Sequence, residues 1–230
     1  MAVSAYYIRG RLFPTILTII PLLFFVNVIV VGLYYDNLKE ILNVLPIITN
    51  LGLSAALIFL MVQINRLAAK EVFQRFYFQD ETYMPTTDHL LWSDNYFDIK
   101  IKEMIRLKIQ TKFGITLMSE IEEAGNELKS RNQIATAVSQ IRNSLRDNKI
   151  LMQHNIEYGF FRNLLGGCVF ALIFSIIILG FGLIKQDYSS VLIGSILIIF
   201  YLIPILFSRL LIKRFGYYYS KILYEQFLSI

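Results

Sequence analysis

Cysteine is nearly absent from this chain. Cys168 is the single one, so neither an intrachain disulfide nor a thiolate metal centre can form. Histidine occurs only at His89 and His154, without HExxH spacing, and no GxSxG, P-loop or GxGxxG pattern is present. A metal shared by the two histidines with Asp88 or Asp94 is disfavoured, because a loop histidine beside Thr and Asp is more often a hydrogen-bonding residue. The chain is therefore expected not to be an enzyme and to carry no metal or cofactor. Charge is also scarce, at 17% of residues against 56% hydrophobic, an unusual balance for a water-soluble protein of 230 residues.

The missing charge is concentrated in four runs, Leu12–Tyr35, Val44–Ile64, Leu164–Ile184 and Val191–Ile212. Each approaches or exceeds the roughly 20 apolar residues that a helix needs to cross a bilayer core. None holds Asp, Glu or Lys, and Arg209 alone intrudes, near an end where it can reach the interface. The first run is too long for a signal-peptide core and lacks a small-residue cleavage site.

Lys and Arg set the expected orientation. Arg9, Arg11, Arg66, Lys70, Arg75, Arg162, Arg209, Lys213, Arg214 and Lys221 flank one side of the runs, while the short loops Asp36–Asn43 and Lys185–Ser190 hold only Lys39 and Lys185. Both termini and the middle block are thereby assigned to the cytoplasm. The fold class expected is an all-α membrane protein: a hairpin over 1–64, a helical cytoplasmic domain over 65–163, a second hairpin over 164–212 and a cytoplasmic tail over 213–230. The middle block is nearly neutral, with 14 Lys and Arg against 13 Asp and Glu between Asn65 and Asn163. Any anion site there must come from local clustering.

Within the runs, Pro21 removes a backbone hydrogen bond and should kink the first helix. Asn27 and Asn50 put polar groups at membrane depth. They either join helices through hydrogen bonds or line an aqueous path. Residues 65–79 read as an amphipathic continuation of the second run, which would carry movement toward the membrane. Tyr96–Lys112 reads as a helix. Ser119 and Glu122 form a capping box that opens a long helix from about Glu120 to Asn155, with apolar positions at heptad-like spacing and a break at Arg131. That stripe fits packing against the Tyr96–Lys112 helix or self-association.

Near its end the spacing stacks Arg142, Arg146 and Lys149 on one face. His154 and Arg162 follow, with aromatic residues between. Such a row could hold phosphates through Arg forks, with a base stacked on Tyr or Phe. It could equally be a solvated face above an interfacial aromatic belt.

Pro85-Thr86-Thr87-x-x-Leu90, Arg146-Asp147 and Asn155-x-x-Tyr158-Gly159-Phe160-x-Arg162-Asn163-Leu164-x-Gly166 together resemble a group of small bacterial proteins with four membrane helices and one cytosolic insertion. The resemblance covers about half of the chain. The layout is also similar to membrane channel effectors of antiviral operons, the Hailong type among them. That resemblance implies an inner-membrane homo-oligomer, expected to be a tetramer surrounded by lipid, with a pore around the first two spans. Its implied partner is an operon-encoded soluble enzyme such as a nucleotidyltransferase, and its implied ligand a nucleotide or short oligonucleotide. Arg142, Arg146, Lys149, His154 and Arg162 would then meet the phosphates, and Thr86, Thr87 and His89 would close over them. Pro21, Asn27 and Asn50 would form pore and gate. The alternative is a non-conducting membrane scaffold or sensor that recruits a soluble partner.

Overall fold

The computed structural model describes residues 5–26, 29 and 48–230, with side chains from residue 55 onward in the last range. Among the described residues every regular element is helical. In order these are α1 (Ala5–Tyr7), a π-helical stretch (Ile8–Leu12), α2 (Phe13–Thr18), α3 (Ile20–Phe24), α4 (Ile48–Ala68), a second π-helical stretch (Ala69–Gln74) and α5 (Arg75–Phe78). A 3-10 turn (Glu81–Tyr83), α6 (Pro85–Asp88), α7 (Ile99–Phe113), α8 (Glu120–Gly125), α9 (Glu127–Ser144), α10 (Lys149–Lys185), α11 (Tyr188–Leu206) and α12 (Ser208–Ser229) follow. The chain divides into an apolar unit, Met1–Phe73 with Gly159–Leu211, and a polar unit, Gln74–Tyr158 with Ile212–Ile230.

Two described helices, α10 and α11, are long and apolar enough to cross a membrane. The expected runs Leu12–Tyr35 and Val44–Ile64 are described only in part. In the apolar unit large apolar side chains face outward as well as inward, and several polar side chains are buried among the helices. Ile196, Ile199, Phe200, Ile203 and Leu206 of α11 are exposed, whereas Thr15, Thr18, Asn65, Asn163 and Ser175 are buried.

Prolines explain the broken first helix. Pro14 and Pro21 have no N–H for the carbonyls four residues back, those of Gly10 and Leu17. Both carbonyls are satisfied from other helices: Asn163 donates Nδ2–H to the Gly10 oxygen at 2.6 Å, and Tyr201 donates its hydroxyl to the Leu17 oxygen at 2.7 Å. Asn65 adds two further bonds, donating from Nδ2 to the hydroxyls of Thr15 (3.2 Å) and Thr18 (3.1 Å). Small residues allow this approach. A Cβ on Gly166 would lie 2.1 Å from the Asn65 carbonyl oxygen, and one on Gly167 would lie 2.2 Å from the Thr18 hydroxyl.

The polar unit has a core of Leu90, Ile105, Ile109, Ile134, Val138, Ile141, Leu145 and Leu151, joined by Leu223, Tyr224 and Phe227 of α12. The apolar side chains of residues 213–230 thus complete this core. The fourth run ends as a helix at Leu206, and α12 begins at Ser208. Asp98 caps α7, and Gly114 at φ 69° closes it in the left-handed conformation that glycine adopts freely.

The Ser119–Glu122 capping box forms as the spacing predicts. The single helix over 120–155 does not, and three helices share that stretch. Asn126 ends α8 and caps α9 through Lys129 N–H, while Asn148 accepts from Leu151 N–H at the start of α10. Each Asn side chain competes with the backbone ladder and favours a cap over a helix interior. The continuation of the second run is helical through Phe78 but winds as a π-helix over Ala69–Gln74.

Candidate functional site

The break between α9 and α10 rearranges the expected cation row. Arg142 lies in the last turn of α9, Arg146 in the connecting turn and Lys149 at the first position of α10. The three do not share one helical face, which corrects the i, i+4, i+7 reading. Arg146 and Lys149 are exposed, and Arg142 is half-buried. Arg142 donates to the Thr86 hydroxyl at 3.3 Å and lies over the Tyr219 ring. The structure therefore brings Arg142 and Thr86 together. His154 lies on α10, its Nδ1 3.4 Å from Glu157. Arg162 belongs to the apolar unit.

Thr86, Thr87 and His89 are buried. The Thr86 carbonyl accepts the Tyr224 hydroxyl, and the Thr87 hydroxyl donates to the Glu81 carbonyl at 3.4 Å. Ser220 donates to the Pro85 carbonyl at 3.0 Å and sits 2.8 Å from His89 Nδ1. Since that hydroxyl proton goes to Pro85, the His89 tautomer consistent with both contacts carries its proton on Nδ1. His89 stacks on Tyr96 at a ring separation of 3.8 Å, and burial lowers its pKa to about 4. The Pro-Thr-Thr segment is thus a hub inside the polar unit. Closing over a ligand would require α12 to release Thr86 and His89.

Pro21 is the second residue of α3, whose first residue, Ile20, follows the bend at Ile19. Asn27 lies outside the described residues, as does the side chain of Asn50.

Sequence reasoning missed the charged groups that hold the hub. Lys102, buried on α7, donates from Nζ to the carbonyls of Leu91 (2.7 Å), Trp92 (3.4 Å) and Asp94. One turn on, Arg106 donates to the carbonyls of Leu90 (2.6 Å) and Met118 (2.7 Å) and lies over the Trp92 ring. Glu123 accepts from the amides of Trp92 (2.6 Å) and Ser93 (3.3 Å), from the Ser130 hydroxyl (2.8 Å) and from Arg106 (3.5 Å). Burial pulls the pKa values of Lys102 and Arg106 below their ordinary values. The i, i+4 spacing of Lys102 and Arg106 among the apolar positions of α7 was the available signal.

Arg131 is the second missed centre, marked in the sequence only as a break in the apolar stripe. Its Nε donates to Glu127 at 2.7 Å, and one terminal nitrogen donates to Asp88 (2.6 Å) and to the Thr82 carbonyl (3.1 Å). The guanidinium lies 4.4 Å from the centre of the Tyr83 ring. Burial raises the Asp88 pKa against the opposing pull of Arg131. Arg131 and Asp88 line a cleft of about 340 Å³ in the polar unit, with Asp94, Lys213 and Tyr217 among the other walls. Gln79, at one edge, adopts φ 58°, a region that side-chain-bearing residues rarely occupy.

This arrangement offers fixed cations, carboxylates and aromatic side chains around one cleft, and such a set suits binding. No family model, curated protein or solved structure matches this chain.

Proposed function

We propose that this chain is a multi-pass protein of the bacterial inner membrane that assembles into a tetrameric pore. It acts as a channel effector in antiphage defence, controlled by a nucleotide or short oligonucleotide from a partner enzyme such as a nucleotidyltransferase. The observation that supports the reading most directly is the apolar exterior of the apolar unit. Large apolar side chains of α11 face outward, while Thr15, Thr18, Asn65 and Asn163 are buried and bonded to one another or to backbone. Lipid accepts such an exterior, and helices in lipid associate through polar and small residues. A proline-broken first helix supports a gate at Pro21, because two of its carbonyls depend on side chains of other helices.

Signal reception rests on Arg146 and Lys149, exposed where α9 gives way to α10, with Arg142 beside Thr86. A ligand gates by its differential affinity for two states, typically worth about 1–3 kcal/mol. Two or three charge-assisted bonds supply that amount.

Purified protein in liposomes provides the test, with ion flux followed while nucleotides and short DNA or RNA oligomers are added. The proposal expects flux that one of them switches on or off, and loss of switching in Arg146→Glu/Lys149→Glu. No flux under any condition contradicts it.

The second reading, a non-conducting scaffold or sensor, is favoured by the exposed apolar residues Ile101, Met104 and Leu107 at i, i+3, i+6 on α7. It expects no flux and a soluble partner whose binding is lost in Met104→Asp/Leu107→Asp.

A further inference from the structure

The cleft lined by Arg131 and Lys213 has features that neither the hub nor the cation row at the α9–α10 junction explains. Arg131 is fixed by four contacts: Glu127, Asp88, the Thr82 carbonyl and the Tyr83 ring. Its other terminal nitrogen has no acceptor among the described residues, so two N–H donors stand ready with little ordering left to lose. Lys213 is half-buried on α12 and makes neither a hydrogen bond nor an ion pair among the described residues. Asp94 uses one carboxylate oxygen to accept the Tyr96 amide at 2.8 Å, which fixes the group and leaves capacity on the other.

The signs balance: two cations, Arg131 and Lys213, stand against two carboxylates, Asp88 and Asp94. A multiply charged anion would meet both carboxylates, and a simple amine would meet both cations. A molecule with one charge of each sign meets complementary groups. Tyr217, also in the wall, adds an aromatic ring that suits an ammonium or an apolar body. The volume, about 340 Å³, lies at the small end of ligand sites.

We propose that this cleft binds a small zwitterion, its anionic group on Arg131 and Lys213 and its ammonium against Asp94 and Tyr217. The shared chemistry has two sources, a free amino acid or the headgroup of a zwitterionic phospholipid. The inference is independent of whether the apolar unit conducts.

The test is calorimetric titration of the full chain in discs of phosphatidylglycerol alone, which supply no zwitterionic lipid. The probes are the common L-amino acids one by one and glycerophosphoethanolamine. Single-charge analogues of whichever binds, lacking the amine or the anionic group, serve as comparison. The expected result is saturable binding of at least one zwitterion, with each single-charge analogue weaker by tenfold or more. Lys213→Gln and Asp94→Asn should each weaken binding by a similar factor. An amino acid alone identifies the free-metabolite source, glycerophosphoethanolamine alone the lipid source, and both support the shared chemistry. Lys213→Gln removes no hydrogen bond or ion pair among the described residues, so its unliganded melting should match the parent. Failure of every zwitterion to bind, single-charge analogues that bind equally well, or Lys213→Gln binding unchanged overturns the proposal.

Discussion

The hydroxyl of Tyr201 donates to the carbonyl oxygen of Leu17 at 2.7 Å, the oxygen that Pro21 leaves without its helical partner. Cause and remedy lie 180 residues apart in sequence. An unmatched carbonyl in an apolar surrounding costs about 1–3 kcal/mol. Tyr201→Phe should therefore lower the thermal stability of the detergent-solubilised protein by about that amount. Pro21→Ala restores an N–H to Leu17, so the same substitution in that background should cost much less. A double-mutant cycle measures the coupling. Equal costs in both backgrounds would show that the hydroxyl does not serve the proline-freed carbonyl.

Glycine spacing on α10 yields a second expectation. A Cβ at Gly166 would fall on Asn65 backbone at 2.1 Å, whereas one at Gly180 would meet nothing within 4 Å. Gly166→Ala should force helices apart and lower the melting temperature measurably. Gly180→Ala should leave it unchanged or raise it slightly, since Ala is the better helix former by about 1 kcal/mol.

Burial of His89 predicts acid sensitivity in the polar unit. Its pKa falls from 6.5 to about 4 in the folded protein, chiefly through burial, with Lys102 adding to the shift and Asp94 opposing it. The unfolded chain binds the proton more readily than the folded one. The neutral ring therefore contributes its full stability above about pH 6.5 and loses it as pH falls toward 4, roughly 3 kcal/mol in all. Trp92 is the sole tryptophan and lies next to this hub. Denaturant unfolding followed by its fluorescence should show the loss, and His89→Phe should flatten the profile. A parent profile already flat between pH 6.5 and 4 would contradict the assignment.

Glu123 has a distinct test. It satisfies two amides and a hydroxyl and pairs with buried Arg106. Glu123→Ala strands those donors and a buried cation, at a cost of about 3–5 kcal/mol. The Trp92 unfolding transition should move to correspondingly lower denaturant; a shift worth less than about 1 kcal/mol would remove Glu123 from the account.

The all-helical character was legible in the sequence, because apolar run length and helical spacing are local properties. The Ser119–Glu122 box was legible for the same reason. The breaks at Asn126 and Asn148 were not, since the apolar stripe continues across both and only the Asn side chains compete with the helix. The docking of α12 was hidden for a different reason. Leu223, Tyr224 and Phe227 look like an ordinary amphipathic tail until their partners, drawn from α6, α7 and α9, are assembled around them. Candidate site residues followed the same division. Arg142 beside Thr86 joins two of the expected residues, but the fixed Arg131 and Lys213, which share the walls of one cleft, lie 82 positions apart, and no local pattern connects them.

Membrane topology is the claim on which the rest of the account stands, and impermeant maleimide labelling of introduced cysteines in intact cells measures it directly. Cys168, the single native cysteine, is buried, so background labelling should be low. Lys39→Cys and Tyr188→Cys, one in each of the expected short loops and the second at the exposed first position of α11, should label from outside. Lys149→Cys and Ser229→Cys should label only after the membrane is opened. Labelling of Ser229→Cys in intact cells, or protection of both loop positions until the membrane is opened, would contradict a four-span protein with both termini in the cytoplasm.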